Sequence, residues 1–357
     1  MTMLKNALAA AAMAIRTALW IFVACLALAS PASAQQKILF DTDLGADADD
    51  LGALAMLLNY SARGEVELLG IMSWSNERYA VPALDAITRW YGRSDIPIGV
   101  REVGSWEADW HYSRPIAERL GGRRTAADVP GATALYRRIL AAQPDGSVTV
   151  VAVGPLANIL NLLNSPPDAV SPLGGSDLLH RKVARFLVMG GHFPQGRGEW
   201  NFNGDMPGVT RAVLAGLRMP VVFSGYEVGD AIRTGEVLNR IDRVTPLRVG
   251  YRHFSQHAPW MKERFRGRIL DNASFDQTAV LYAVRGGLGR WWEEVKGGRV
   301  EVDENGDNRW LPGAATNQSW LRLKVPPEQV ARVIEAAMLG SPGPGSSSSN
   351  IAAPGTK

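Results

Sequence analysis

The sequence predicts an α/β fold built on an open, mostly parallel sheet with helices on both faces. Short apolar runs alternate with helix-like stretches from Ile38 to Phe223, the pattern of repeated strand–helix units. The plainest run, Val148 to Val153, is apolar but for Thr149 and reads as a buried strand. Between the first such run, Ile38-Leu39-Phe40, and the apolar helix-like stretch Leu51 to Leu58 sits an acidic turn. In open α/β sheets that strand-to-helix edge is where sites form.

The elements follow in order. Val66 to Ile71 reads as a strand and Val81 to Tyr91 as a helix, with Pro82 near its first turn. Ile96 to Val100 is a short strand. Gly154-Pro155 closes the strand Val148 to Val153, and a helix follows from Leu156 to Leu163. Val183 to Met189 and Met219 to Phe223 repeat the strand theme. Gly104 to Pro115 and Arg240 to Asn272 look like inserts, the first carrying Trp106, Trp110, His111 and Tyr112, the second His253, His257 and Trp260. Arg299 to Trp310 reads as a hairpin about Asn305-Gly306. Its Asp303–Asp307 stretch has the wrong glycine register for an EF-hand and reads as a solvated turn. Residues 340–357, rich in Pro, Gly and Ser, are expected to be a disordered tail.

Residues 1–34 read as a signal peptide. Lys5 and Arg16 precede the apolar stretch Ala18 to Leu28, which is short for a membrane span, and Ala32-Ser33-Ala34 offers a cleavage site. The mature chain then starts at Gln35 and is periplasmic or secreted, with no membrane association after cleavage. Cys25 is the single cysteine. The mature chain therefore needs no disulfide and has neither a thiol nucleophile nor a thiolate metal site. Losing Lys5 and Arg16 takes the formal charge from +3 to +1, and no basic run suggests nucleic acid as a partner. Length lets residues 35–339 form one large α/β domain or two small ones, no linker divides them clearly, and the sequence leaves a homo-oligomer open.

The acidic turn holds five carboxylates in ten residues: Asp41, Asp43, Asp47, Asp49 and Asp50. Helix capping uses one or two acids, and five repel one another. A hard cation resolves that conflict, because Ca²⁺ accepts several carboxylate and carbonyl oxygens.

Asp41-Thr42-Asp43-Leu44-Gly45-Ala46-Asp47-Ala48-Asp49-Asp50 resembles the N-terminal motif of the inosine-uridine-preferring nucleoside hydrolase family. Gly70 to Asn76, Val151 to Asn158, Met189-Gly190-Gly191, Glu199-Trp200-Asn201 and Ser274-Phe275-Asp276 resemble its later motifs, in the family's order. The resemblance spans roughly Lys37 to Leu339 and implies a nucleoside-hydrolase-like fold with a Rossmann-like core. It implies a Ca²⁺ cofactor held by Asp43, Asp50, Asp276 and the backbone carbonyl of Val153. It implies Asp43 as general base toward water, with Asp49, Asn76, Glu199 and Asn201 on the ribose hydroxyls. Trp200, between two of these, is the best-placed tryptophan to stack on a leaving base; Trp106, Trp110 and Trp260 are others. The expected substrate is a small-molecule nucleoside or related riboside, split by water into ribose and free base. Glycosidic cleavage of this kind passes through an oxocarbenium-like state, which suits carboxylates and an activated water.

Two departures from the family pattern stand out. The acidic turn is two residues longer, so Asp47 becomes a supporting acid or a helix cap, with the helix starting directly after Asp49-Asp50. Phe275 occupies the position where many members carry a histidine that protonates the departing base. That proton must then come from a loop residue, with His111, His192, His253 and His257 in regions that can rim a pocket, or from solvent.

Two rival functions remain open at this point. A non-catalytic Ca²⁺-dependent nucleoside- or sugar-binding protein on the same fold gains weight from Phe275. A haloacid-dehalogenase-type phosphohydrolase would use Asp41 as a phosphorylated nucleophile, but it leaves Asp49 and Asp50 unexplained.

Export makes a direct prediction: intact-mass analysis of the exported protein gives Gln35, or its pyroglutamate, as the first residue. A mature chain beginning at a lipidated Cys25 would contradict it.

Overall fold

The computed structural model describes residues 35–104, 107–286, 290–313 and 316–340. The expected signal peptide, the tail beyond Gly340, and Trp106 lie outside the described residues. Apart from Gln35, the described residues belong to one compact unit, and none of their helices is long and apolar enough to cross a membrane.

The strands are β1 (Gln36–Thr42), β2 (Val66–Ser73), β3 (Ile98–Val100), β4 (Val148–Ala152), β5 (Val183–Met189), β6 (Gln195–Gly196), β7 (Val221–Ser224), β8 (Arg233–Thr234), β9 (Asn272–Ala273), β10 (Trp292–Val295), β11 (Gly298–Val302), β12 (Asn308–Pro312) and β13 (Gln318–Leu323). Eight form the central sheet in the order β10-β13-β7-β5-β4-β1-β2-β3. All neighbours in it run parallel except the edge pair β10 and β13. The mostly parallel sheet expected from the apolar runs is therefore observed.

The helices are α1 (Ala48–Ala62), α2 (Ala80–Trp90), α3 (Ser113–Leu120), α4 (Ala132–Ala142), α5 (Ala157–Asn164), α6 (Gly175–Lys182), α7 (Trp200–Asn203), α8 (Val209–Gly216), α9 (Tyr226–Ala231), α10 (Pro246–His257), α11 (Phe275–Arg285) and α12 (Pro327–Met338). Two apolar layers result. One packs Ile38, Phe40 and Val151 against α1, α2, α11 and α12. The other packs Leu39, Val150 and Ala152 against α4, α5, α6 and α8. Successive strand side chains point to opposite faces. A strand buried on both faces must therefore be apolar at every position, which is why β4 is apolar throughout but for Thr149.

The hairpin expected around Asn305-Gly306 is formed by β11 and β12, paired antiparallel with Val302 opposite Asn308. Asp303 Oδ1 accepts the backbone N–H groups of Asn305 and Asp307 at 2.8 and 3.0 Å. The carboxylate thus closes the turn itself. One boundary needs correction. Helix α1 starts at Ala48, two residues before the turn's last acid, so Asp47 takes the N-cap position and Asp49 and Asp50 fall within the first turn. The acids are compatible with a helix here because its free N–H groups and dipole favour negative charge.

Candidate active site

The parallel register brings the acidic turn to one edge of the sheet. Asp41 pairs with Ala152 and Thr42 with Ser73, so Asp43, Val153 and Trp74 leave adjacent strands side by side. Two helix N-termini point at the same edge. Asp49 and Asp50 lie in the first turn of α1, and Asp276 lies in the first turn of α11. The Asp49 carboxylate ties these turns together, accepting from Asp50 N at 3.1 Å and Asp276 N at 3.2 Å. The Thr42 hydroxyl donates to Asp50 Oδ1.

Asp43 is fixed from two sides. The indole Nε1–H of Trp200 donates to its Oδ2 at 2.9 Å. On the other side lies Gly154, where a Cβ would sit 2.9 Å from Asp43 Oδ1 and 2.8 Å from its backbone nitrogen. Only glycine lets the carboxylate lie flat against that turn. Glu199 caps α7 and accepts three backbone N–H groups, from Gly191 at 2.7 Å, Asn201 at 3.0 Å and Phe202 at 3.1 Å. The Asn201 amide donates to the Val153 carbonyl at 2.8 Å and to Met189 O at 3.2 Å.

These residues wall a cavity of about 430 Å³, within the range of small-molecule sites. Asp43, Asp47, Asp49, Asp50 and Asp276 line it on one side. Glu199, Trp200, Asn201 and Val153 line another, and Trp110, Trp260, Tyr226, Phe275 and His192 complete the wall.

The electrostatics of this wall are strained. Burial, followed by mutual repulsion, raises the pKa values of Asp49, Asp50 and Asp276 well above the carboxylate range. Burial also pushes Asp43 up to about 7. No Lys or Arg offsets these shifts among the described residues. Oxygens of Asp49, Asp50 and Asp276 lie within 4.8 Å of one another. Asp276, only 3% exposed, leaves Oδ2 buried without a hydrogen-bond donor. Buried charge without a partner costs several kcal/mol or neutralises itself. An all-oxygen cluster with an orphaned carboxylate oxygen fits a hard divalent cation such as Ca²⁺.

Residues 38–332 match the model of the inosine-uridine preferring nucleoside hydrolase family. The chain belongs to that family. Pyrimidine-specific ribonucleoside hydrolase RihA of Citrobacter koseri is 29% identical over 205 residues, covering 54% of this chain and 60% of RihA. RihA of Escherichia coli is 28% identical over 207 residues, with the same coverage. The matches thus span less than two thirds of these relatives. A plant nucleoside hydrolase, PpNRh1, superposes with a TM-score of 0.63 at 17% identity, covering 85% of this chain and 98% of its own. Type III effector protein XopQ, solved with adenosine diphosphate ribose, gives 0.63 at 14% identity, covering 86% and 94%. At such identities the likeness is one of fold.

Most residues expected from the family resemblance converge on the cavity. Asn76 does not: it is half-buried on the loop after β2 and lies off the cavity wall. The tight carboxylate trio contains Asp50 and Asp276 as expected, but its third member is Asp49 rather than Asp43. Trp200, expected to stack on a base, is 41% exposed and also spends its N–H on Asp43. Of the four histidines, only His192 lines the cavity. His111 and His253 line a separate cleft with Glu77 and Glu107, and His257 stacks on His253.

Asp41 is buried and bonded to Tyr136 at 2.7 Å and Asn158 at 3.2 Å, and it does not reach the cavity. It is no exposed nucleophile, which removes the phosphohydrolase reading. The role of Asn158 was written in the Gly154–Asn158 motif but legible only with the fold. Asp47 lines the cavity at the N-cap of α1, and the Asn272 amide donates to it. Tyr226 and Asp205 carried no sequence signal. Asp205 receives the N–H groups of Trp74 and Ala157 at 3.0 and 2.8 Å, and Trp74 supports Trp200 edge-to-face at 6.3 Å.

The raised acids set a pH dependence with a definite sign. A carboxyl whose folded-state pKa exceeds its unfolded one stabilises the fold below the unfolded value and loses that contribution as pH rises. For Asp43 the window runs from 3.8 to about 7. In chelator, the melting temperature therefore falls across this window; in Ca²⁺ the fall is absent, because the bound ion compensates the charges. Asp276→Asn should melt higher than the parent in chelator at neutral pH and lose the Ca²⁺-dependent gain. That gain is about 2.7 kcal/mol at a hundredfold excess over Kd. Scanning calorimetry at several pH values checks both, and a pH-independent melt indifferent to Ca²⁺ would contradict them.

Proposed function

We propose that this family member is an exported, Ca²⁺-dependent hydrolase that splits nucleosides or related ribosides into ribose and free base. The supporting observation is the buried carboxylate cluster without basic partners, set in the wall of a nucleoside-sized cavity. Asp43, Asp50, Asp276 and the Val153 carbonyl would hold the ion, with Asp49 beside them. Val153 O already accepts from Asn201 but keeps a second lone pair. When bound, Ca²⁺ supplies Lewis acidity and neutralises the cluster.

The chain's own groups do the rest. Trp200 occupies Asp43 Oδ2, which leaves Oδ1 to take a proton from the attacking water. Asp49, spanning the two helix turns, presents its remaining lone pairs to ribose hydroxyls. Asn201 Oδ1 and Glu199 extend that polar surface. Asn76 lies outside the lining, so the proposed ribose contacts are those of Asp49, Glu199 and Asn201. The negative wall favours the positive charge that develops on the sugar. Trp110, Trp260, Tyr226 and Phe275 form the apolar side that receives the base.

Phe275 keeps one second reading in view, a Ca²⁺-dependent binding protein without turnover. A panel of inosine, uridine and p-nitrophenyl riboside, assayed for ribose release with and without chelator, separates the two. Hydrolysis that chelator abolishes is the expected outcome; Ca²⁺-dependent binding with no ribose released would establish the second reading. Asp43→Asn should lower kcat/KM on every substrate by about a thousandfold or more, having removed the base. Activity within tenfold of the parent would contradict that role.

A further inference from the structure

Phe275 cannot donate a proton, and its ring packs on Tyr226 with centroids 5.0 Å apart. The same Tyr226 ring also contacts the imidazole of His192, with centroids 4.9 Å apart. Both Tyr226 and His192 belong to the cavity wall. His192 is thus linked to the position of the missing histidine through the one ring of Tyr226, and all three line the cavity.

His192 is held as few loop histidines are. Its Nδ1 lies 2.8 Å from Glu227 Oε1. The other oxygen of Glu227 accepts the Phe193 N–H at 2.9 Å, which fixes the carboxylate. The backbone of His192 is clamped on both sides by one buried side chain. Its N–H donates to Asn308 Oδ1 at 2.9 Å, and its carbonyl accepts from Asn308 Nδ2 at 2.6 Å. The ring also lies flat on Gly196, where a Cβ would come within 2.4 Å of His192 Cγ. Backbone, ring plane and one ring nitrogen are all constrained. Nε2 makes no hydrogen bond among the described residues.

We propose that His192, positioned by Glu227, protonates the departing base. The inference rests on the riboside-hydrolase reading above. As the C1′–N bond breaks, its electron pair goes to the base, and the imidazolium Nε2–H passes to a base nitrogen. Glu227 keeps the Nδ1–H and stabilises the imidazolium before transfer, the arrangement of an acid oriented by a third group. The proton lost by the attacking water goes to Asp43 and then to solvent, and His192 regains a proton from solvent. The balance is one riboside and one water in, ribose and the neutral free base out. His192 is the catalytic residue and Glu227 a positioning residue.

A leaving group that departs without a proton separates this role from a structural one. His192→Gln and Glu227→Gln are to be compared with the parent on inosine, uridine and p-nitrophenyl riboside, with melting temperatures to verify folding. His192→Gln should lower kcat/KM on the two nucleosides by about a hundredfold or more, the usual span for a general acid. Its loss on p-nitrophenyl riboside should be at least about tenfold smaller. Glu227→Gln should show the same split at reduced size. An equal loss on all three substrates, or no loss on the nucleosides, overturns the assignment while leaving the hydrolase reading intact. A parent protein that releases ribose from none of them overturns both.

Discussion

The structure turns on placing buried carboxylates against one another with no basic side chain between them. Asp49, Asp50 and Asp276 meet where the N-termini of α1 and α11 converge on the edge of the sheet. Helix dipoles and backbone N–H groups offset part of the repulsion, each by at most a kcal/mol or two. The remainder needs either protons or a cation. Much of the surrounding architecture follows from this demand. Gly154 makes room for Asp43, Trp200 fixes one of its oxygens, and Glu199 and Asn201 anchor the short helix that carries Trp200.

How much of this was legible in the sequence depended on the range of the interaction. The short, mostly apolar runs announced the strands, and β1, β2, β4 and β5 lie where those runs are. The acidic turn announced the site, because five acids in ten residues exceed what capping can use. The start of α1 at Ala48 is not legible, because acids at a helix N-terminus read equally as loop. Contacts across long separations were not legible. Nothing near Tyr136 in the chain announces its bond to Asp41, and Asp205 supports Trp74 and α5 from a loop whose local sequence carries no such signal. Asn76 illustrates the reverse: a residue that fits the family pattern locally yet lies off the cavity wall.

Around Phe275 this chain differs from the family pattern, and the differences are mutually consistent. Phe275 gives up a proton donor but completes an aromatic wall with Tyr226, and Gly229 lies so close behind it that a Cβ there would be 2.4 Å from Phe275 Cα. The adjacent loop carries a histidine whose backbone, ring and hydrogen-bond partner are all fixed. Preorganisation of this kind brings the entropic cost of alignment forward into folding. The acids of the family motif line the cavity together with an aromatic wall that the motif does not specify.

The demand for a cation at the carboxylate cluster is the claim on which everything else rests. Isothermal titration of Ca²⁺ into metal-stripped protein near pH 7 tests it most directly. Saturable binding of one ion per chain, lost in Asp50→Asn, is the expected result. No measurable binding in the parent, or undiminished binding in the variant, would contradict it.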